Sequence, residues 1–204
     1  MMTSARTTIE VGRLLRAGTQ GFVAGCRVSQ VDSPTFGAMV RVPLGEAEAI
    51  YGLVHDIRVD DDGLVRQLAA ADGIDDTIIL DNRMNRNVPI EVSVLSIGYT
   101  NHEQVYHLLP RRPPLSLDLM YLCDDADVRF FTGNRRFGYF RHVLRSADLP
   151  IGELLAAHLQ QVGSVHRKYG DEEWTSRAMQ EIITLLRDDY TLLMSVLGAL
   201  AEIQ

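Results

Sequence analysis

Short apolar runs separated by glycine, proline and aspartate fill the first 123 residues of the chain. Two of the longer runs alternate with a period of two, which is typical of strands in a sheet. One predicted face consists of Ile50, Gly52, Val54 and Asp56, and another of Ile90, Val92, Val94 and Ser96. Glycine inside a strand predicts a bulge or sharp bend of the kind that closes a small barrel. We therefore predict a closed barrel of about six strands between Ile9 and Cys123.

Two stretches of this half lack the strand pattern. Residues 1–8 are polar, and we predict that they form a disordered lead. Residues 59–87 are predicted to be an insertion between two strands. It begins with the acidic turn Asp60-Asp61-Asp62-Gly63, and a short helix is predicted at 64–71.

An acidic patch at 124–127 marks a predicted boundary after the barrel. The segment VRFFTGNRRFGYFRHVL, which follows, is rich in aromatic residues and arginine. Its turn signal at Gly133-Asn134 predicts an aromatic β-hairpin. Residues 124–147 would then link the barrel to the rest of the chain.

From residue 148 onward the period of the apolar positions changes from two to 3.6, which predicts helices. Asp148 is expected to cap the first helix and Gly170 to end it. Trp174 begins the next helix, and an aspartate of the pair Asp188-Asp189 begins a third. Residues 148–204 are therefore predicted to be a helical domain. The predicted fold class is α+β, with a small N-terminal β-barrel, a β-hairpin and a C-terminal helical region.

Five segments of the barrel region resemble, in their order, the strands of a known small barrel. They are VGRLL from Val11, DSPTFGAMVRV from Asp32, YGLVHDI from Tyr51, VPIEVSVLSIGY from Val88 and LLPRRPPLSLDLMYL from Leu108. Together they resemble the HAS-barrel, which precedes the motor domain in HerA-type ATPases and occurs in ATP synthase subunits. The resemblance covers the barrel region without the insertion, and it implies an assembly and interface module.

The ATPase activity of those relatives does not carry over to this chain. Their motor needs a phosphate-binding loop of the form GxxxxGK[ST]. The single lysine of this chain is Lys168, and no glycine-rich loop precedes it. The resemblance therefore implies a barrel without its motor, with a separately encoded HerA-like ATPase as a partner.

Other patterns that suggest catalysis or metal binding depart from their motifs. His102-Glu103 and His107 have a spacing of five rather than the four of H-E-x-x-H, so the two rings would not share a helical face. Asp60–Gly63 lacks the alternating ligands and the distal glutamate of a calcium loop. No G-x-S-x-G sequence occurs, and Cys26 and Cys123 form no C-x-x-C pair. We expect no enzyme, and no catalytic, metal-binding or cofactor-binding residue.

The charge balance disfavours general binding to phosphate backbones or anionic lipid. The net charge is −7, and such a field repels both. No segment has the ~18 apolar residues that a membrane span needs. The start MMTSARTTIEVG has no apolar run after its charge. We therefore expect a cytoplasmic protein with no membrane partner.

The predicted aromatic hairpin offers one route to nucleic acid. Its arginines alternate with rings that could stack on the bases of a single strand. The candidate contacts are Arg129, Arg135, Arg136 and Arg141. In the alternative, which the acidic total favours, the rings pack under the barrel and the arginines stay in water.

An apolar seam through the last two helices predicts a self-interaction. Its members are Trp174, Leu186, Tyr190, Leu193, Leu197 and Leu200. Such a seam must be covered, either in a compact bundle of the same chain or across a two-fold axis. We favour a homodimer with Leu193 and Leu197 near its centre. The predicted function is a non-enzymatic assembly or protein-interaction module, and the alternative is a nucleic-acid-binding accessory factor.

Overall fold

The computed structural model describes residues 9–26, 34–59, 77, 90–146 and 148–202. The predicted lead lies outside these residues. So does the predicted insertion with its helix at 64–71, apart from Val59 and Thr77.

Antiparallel strands build the first half of the protein. They are β1 (Glu10–Ala17), β2 (Gly21–Cys26), β3 (Met39–Pro43), β4 (Glu48–Val59), β5 (Ile90–Asn101), β6 (Gln104–Tyr106) and β7 (Leu119–Leu122). Their order is β2-β1-β7-β3-β4-β5-β6, and β2 also pairs with β5. Six strands therefore close into a barrel, and β6 extends the sheet beyond β5. The predicted six-stranded barrel is confirmed.

The interior of the barrel is filled with apolar side chains. Its buried members include Val11, Leu14, Phe22, Val40, Ile50, Val92, Val94 and Met120. There is no room for a side chain at Gly52, because a β-carbon there would lie 2.3 Å from Cγ1 of Val94 and 3.3 Å from Cζ of Phe22. The barrel core is therefore closely packed around Gly52.

Two register shifts bend β4 against β5. One falls between Tyr51 and Gly52, as the glycine predicted, and the other between Val54 and Asp56. The second shift reverses the alternation of side chains beyond it. As a result Ile57 packs against the barrel core in place of Asp56, which the simple alternation had assigned to the inner face.

Helices follow the last strand. They are α1 (Asp125–Thr132), α2 (Phe140–Leu144), α3 (Ile151–Lys168), α4 (Trp174–Leu185) and α5 (Tyr190–Ala201), with a 3₁₀ turn at Arg135–Phe137. The α+β fold class and the helical C-terminal region are confirmed. In the part of the chain that the structure describes, none of the helices combines the length and the apolar composition needed to cross a bilayer.

The described part of the aromatic segment, residues 124–146, forms helices, so the predicted β-hairpin is wrong. The carboxylate of Asp124 caps α1 by accepting the N–H of Asp127 at 2.8 Å. Val128 and Phe131 then lie three residues apart, on the helical face that joins the core. Gly133, taken as the hairpin turn, instead ends α1. A glycine after an aromatic run is typical both of a hairpin turn and of the end of a helix. Here the N-cap at Asp124 favours the helix.

The ends of the later helices agree with the sequence at three of four positions, one of which is the start of α4 at Trp174. Pro150, rather than Asp148, occupies the N-cap position of α3. The physical reason is that a residue before proline avoids the helical region, which delays the start of the helix. Gly170 follows α3 with a φ of 88°, and the Asp189 carboxylate caps α5 by accepting the N–H of Leu192 at 3.0 Å.

A second core joins the helices to the outside of the barrel. Side chains from the strands, such as Tyr51, Leu53 and Ile97, pack with side chains from the helices, such as Phe131 and Leu155. The residues on either side of the predicted boundary at 124 thus share one hydrophobic cluster.

Candidate functional site

The loop before β3 contacts α3 through its backbone. Gly37 has a φ of 81°, and a β-carbon there would lie 2.8 Å from Cβ of Ala157 and 2.8 Å from the backbone nitrogen of His158. Gln161 Nε2 donates to the Phe36 carbonyl at 2.8 Å. The barrel and α3 therefore meet at van der Waals distance, where only glycine fits.

His158 completes this junction as a neutral side chain. Its Nδ1 lies 3.3 Å from the Gly37 carbonyl oxygen, and its Nε2 lies 2.9 Å from the Tyr139 hydroxyl. A carbonyl only accepts, so Nδ1 carries the proton and the tyrosine donates to Nε2. Burial lowers the pKa of His158 to about 4, and the hydrogen bond to Gly37 offsets only part of that effect. Burial also raises the pKa of Tyr139 well above its ordinary value.

We expect this histidine to make stability depend on pH. Between the ordinary pKa of 6.5 and the folded value of about 4, the unfolded chain binds a proton that the folded protein does not. The free energy of unfolding should therefore fall as the pH is lowered through this range, by about 3 kcal/mol for this group. Urea unfolding of the wild type and of His158→Gln between pH 7 and 4 measures the difference. Equal pH slopes in the two proteins would contradict the assignment.

The other buried histidines also serve packing. The Thr132 hydroxyl donates to the Val128 carbonyl at 2.7 Å, so it accepts from His166 Nε2 at 2.8 Å. The His166 ring stacks on Trp174 with centroids 4.7 Å apart. His107 is buried, with Nε2 3.2 Å from the Phe131 carbonyl oxygen.

A buried ion pair forms another link between barrel and helices. Arg41 Nε on β3 donates to Asp127 Oδ2 on α1 at 2.8 Å, and the two side chains are 18% and 9% exposed. The arginine also lies over the Tyr121 ring, 5.6 Å from its centroid. Because this position is largely shielded from water, each charge needs the other to offset the cost of its desolvation.

A cleft of about 570 Å³ lies between the barrel and the end of α2. Its lining includes His55, Ser96, His142, Arg145 and Ser146. The Ser146 hydroxyl donates to the His142 carbonyl at 2.8 Å, and His142 Nε2 lies 3.1 Å from the His107 carbonyl oxygen. In this cleft the Ser146 hydroxyl and His142 Nε2 are therefore both bonded to backbone carbonyls. Among the described residues, no group of three or more His, Cys, Asp and Glu side chains could hold a metal ion.

Two of the arginines predicted to contact nucleic acid have partners within the chain. Arg129 lies over the Tyr169 ring at 4.3 Å, and Arg141 donates to the His107 carbonyl. Arg135 and Arg136 lie in the 3₁₀ turn. Of the rings in this segment, Phe131, Tyr139 and Phe140 are fully buried in the second core, whereas Phe130 is 39% exposed. The three buried rings therefore pack as in the alternative, in which the rings lie against the barrel.

The predicted apolar seam divides into buried and exposed members. Trp174, Leu186 and Leu200 are buried in the chain's own core, and Leu193 packs against the same core. Leu197 is half-buried, and Tyr190 is 72% exposed. The exposed surface of α5 is thus narrower than the predicted seam and lies on a different face of the helix.

Sequence reasoning missed a second apolar surface, which lies in the loop between β6 and β7. Four leucines of this loop are exposed, and we call them the leucine loop: Leu108, Leu109, Leu115 and Leu117. Asp118 fixes the end of this loop through two hydrogen bonds. Its carboxylate accepts the Leu115 N–H at 2.7 Å, and its backbone carbonyl accepts the Leu14 N–H at 3.0 Å. The signal in the sequence was the run of leucines among prolines and arginines.

Leu117 is the strained member of this loop. Its φ is 72°, in the left-handed region that costs a leucine about 1–2 kcal/mol. Its backbone is fixed on both sides, because its N–H donates to Leu14 and its carbonyl accepts from Arg13 at 3.0 Å. Leu117 nevertheless remains 66% exposed, so its packing within the chain does not offset the backbone strain.

Comparison with known proteins adds no family to these observations. No protein-family model matches the chain, and no curated protein was found to be similar to it. The resemblance of the barrel region to the HAS-barrel stays a prediction.

Proposed function

We propose that this chain is a non-enzymatic assembly module that binds a larger protein through the leucine loop. The observation that carries the proposal is Leu117, which is strained in its backbone and yet exposed in its side chain. Strained conformations of this kind concentrate at functional surfaces. In the isolated chain the side chains of Leu115 and Leu117 are exposed to water. A partner that covers them would bury this apolar surface, which stabilises the complex.

The surroundings of the loop indicate the chemistry of this partner. Arg111 and Arg112 lie exposed between the leucines in sequence, and Arg112 also pairs with Glu48 at 3.6 Å. We therefore expect the partner surface to be apolar at its centre and acidic where it meets Arg111. The leucine loop belongs to LLPRRPPLSLDLMYL, one of the segments that resemble the HAS-barrel. That resemblance supports a HerA-like ATPase, encoded separately, as the partner.

The proposal is tested by removing the apolar side chains without disturbing the loop. Serine replaces the exposed Leu115, and asparagine replaces Leu117 because asparagine tolerates a left-handed backbone. We expect Leu115→Ser with Leu117→Asn to weaken binding of a HerA-like ATPase from the same genome by about tenfold or more. The free energy of unfolding should not fall, because both side chains are exposed and asparagine relieves part of the backbone strain at position 117. Retention of the purified ATPase on the immobilised chain measures the effect.

The control is Val59→Ser, which removes an equally exposed apolar side chain at the end of β4. It should leave binding unchanged. If the wild-type chain does not retain the ATPase at tens of micromolar, or if the loop variant retains it equally well, the proposed function is wrong.

A further inference from the structure

The outer face of α5 lacks the charges that a solvent-exposed helix usually carries. The helix reads YTLLMSVLGALA and contains no charged residue over its whole length. Its inner face packs on the chain's own core through Val196 and Leu200. Its outer face consists of exposed residues, namely Tyr190, Thr191, Met194, Ser195, Gly198 and Ala201. Surface helices normally place charged residues on this side.

The two ends of this face have complementary shapes. Tyr190 projects from the first turn with 72% of its surface exposed. Near the other end, a β-carbon at Gly198 would meet nothing within 4 Å. A bulky ring near one end and an open glycine near the other fit each other when two copies of the helix lie antiparallel. In a parallel pair, ring would meet ring and glycine would meet glycine.

The charges at the helix ends also favour the antiparallel arrangement. Arg187, Asp188 and Asp189 precede the helix, and Glu202 follows it. Arg187 pairs with the exposed Asp188 of its own chain at 3.2 Å, and an antiparallel pair places it beside Glu202 of a second copy as well. The same arrangement separates the two aspartate pairs by the length of the helix. It also opposes the two helix dipoles, which a parallel pair would align.

We propose that a second copy of this chain covers the outer face of α5, with the two helices antiparallel about a two-fold axis near Met194. In this isologous contact Tyr190 of each copy packs on Gly198 of the other. Met194, 49% exposed in the single chain, becomes the centre of the interface. This centre replaces Leu193, which the chain's own core already contacts. The leucine loop takes no part in the contact, so this inference is independent of the proposed function.

Sedimentation of the full chain tests the assembly. At tens of micromolar we expect a mass twice that of the 22.8 kDa chain. Met194→Asp should convert it to a folded monomer with an unchanged helical signal, because position 194 is exposed when the chain is alone. Gln160→Asp, at an exposed position on α3, should leave the dimer intact. A monomeric wild type, or a dimer that survives Met194→Asp, would overturn the proposal.

Disulfide cross-linking tests the orientation. Thr191→Cys in one chain and Gly198→Cys in another should cross-link when the two variants are mixed and oxidised. Neither variant should cross-link to itself, because equal positions lie about 10 Å apart along an antiparallel pair, beyond the reach of a disulfide. The unmodified chain, which keeps Cys26 and Cys123, shows the background. Efficient cross-linking of either variant to itself would overturn the antiparallel arrangement.

Discussion

Gly37→Ala should destabilise the protein by about 4 kcal/mol, although it adds a single methyl group. Two costs combine at this position. The left-handed backbone costs an alanine about 1–2 kcal/mol, and overpacking adds about 1–3 kcal/mol. The methyl group would lie 2.8 Å from Cβ of Ala157 and from the backbone nitrogen of His158. To relieve the clash, the barrel must move away from α3, which also breaks the hydrogen bond between His158 and the Gly37 carbonyl. Urea unfolding measures the loss.

Gly45→Ala is the matched control for this prediction. Gly45 has a φ of 86°, close to that of Gly37, but nothing lies within 4 Å of its β-carbon position. The control therefore measures the cost of the backbone alone, and we expect about 1 kcal/mol. Equal losses at the two positions would show that the contact with α3 contributes nothing.

Arg41→Met should cost about 4 kcal/mol, because it leaves the Asp127 carboxylate buried without its partner. The side chain of methionine keeps most of the apolar contacts of the arginine stem. Adding Asp127→Asn removes the stranded charge. The double variant should therefore be more stable than the single one, and a double-mutant cycle on unfolding free energies gives the coupling.

The ion pair between Arg177 and Asp171 provides the comparison. Its atoms are closer, at 2.6 Å, but its side chains are 46% and 39% exposed. Water screens such a pair, so Arg177→Met should cost less than about 1 kcal/mol. If both substitutions cost the same, burial is not what makes the Arg41 pair important.

The sequence predicted local structure well wherever a pattern had one physical meaning. The alternation around Val54 and Val94 required strands, and the inner faces that it predicted are found in the barrel core. The prediction failed at Asp56, because a bulge reverses the alternation and only Gly52 announced one of the two shifts. It failed again at Gly133, because glycine ends helices as readily as it forms turns.

The candidate surfaces were harder to predict, because they depend on contacts between distant parts of the chain. The local sequence does not predict the positive φ of Leu117, because the hydrogen bonds that fix its backbone come from Leu14 and Arg13 on β1. The apolar seam was visible in the sequence. Which of its members face outward depends on how α5 packs on the rest of the chain, so Met194 was overlooked and Leu200 was included.

The pairing of the strands also sets the order in which the barrel can fold during synthesis. β1 pairs with β7, and β2 pairs with β5, so the first strands made wait for partners made much later. Until Leu122 has left the ribosome the sheet cannot close, and the edges of β1 and β3 remain unpaired. Open edges of this kind invite pairing with other chains. The residues of α3 emerge later still, so the nascent barrel spends part of its synthesis with its outer apolar face uncovered.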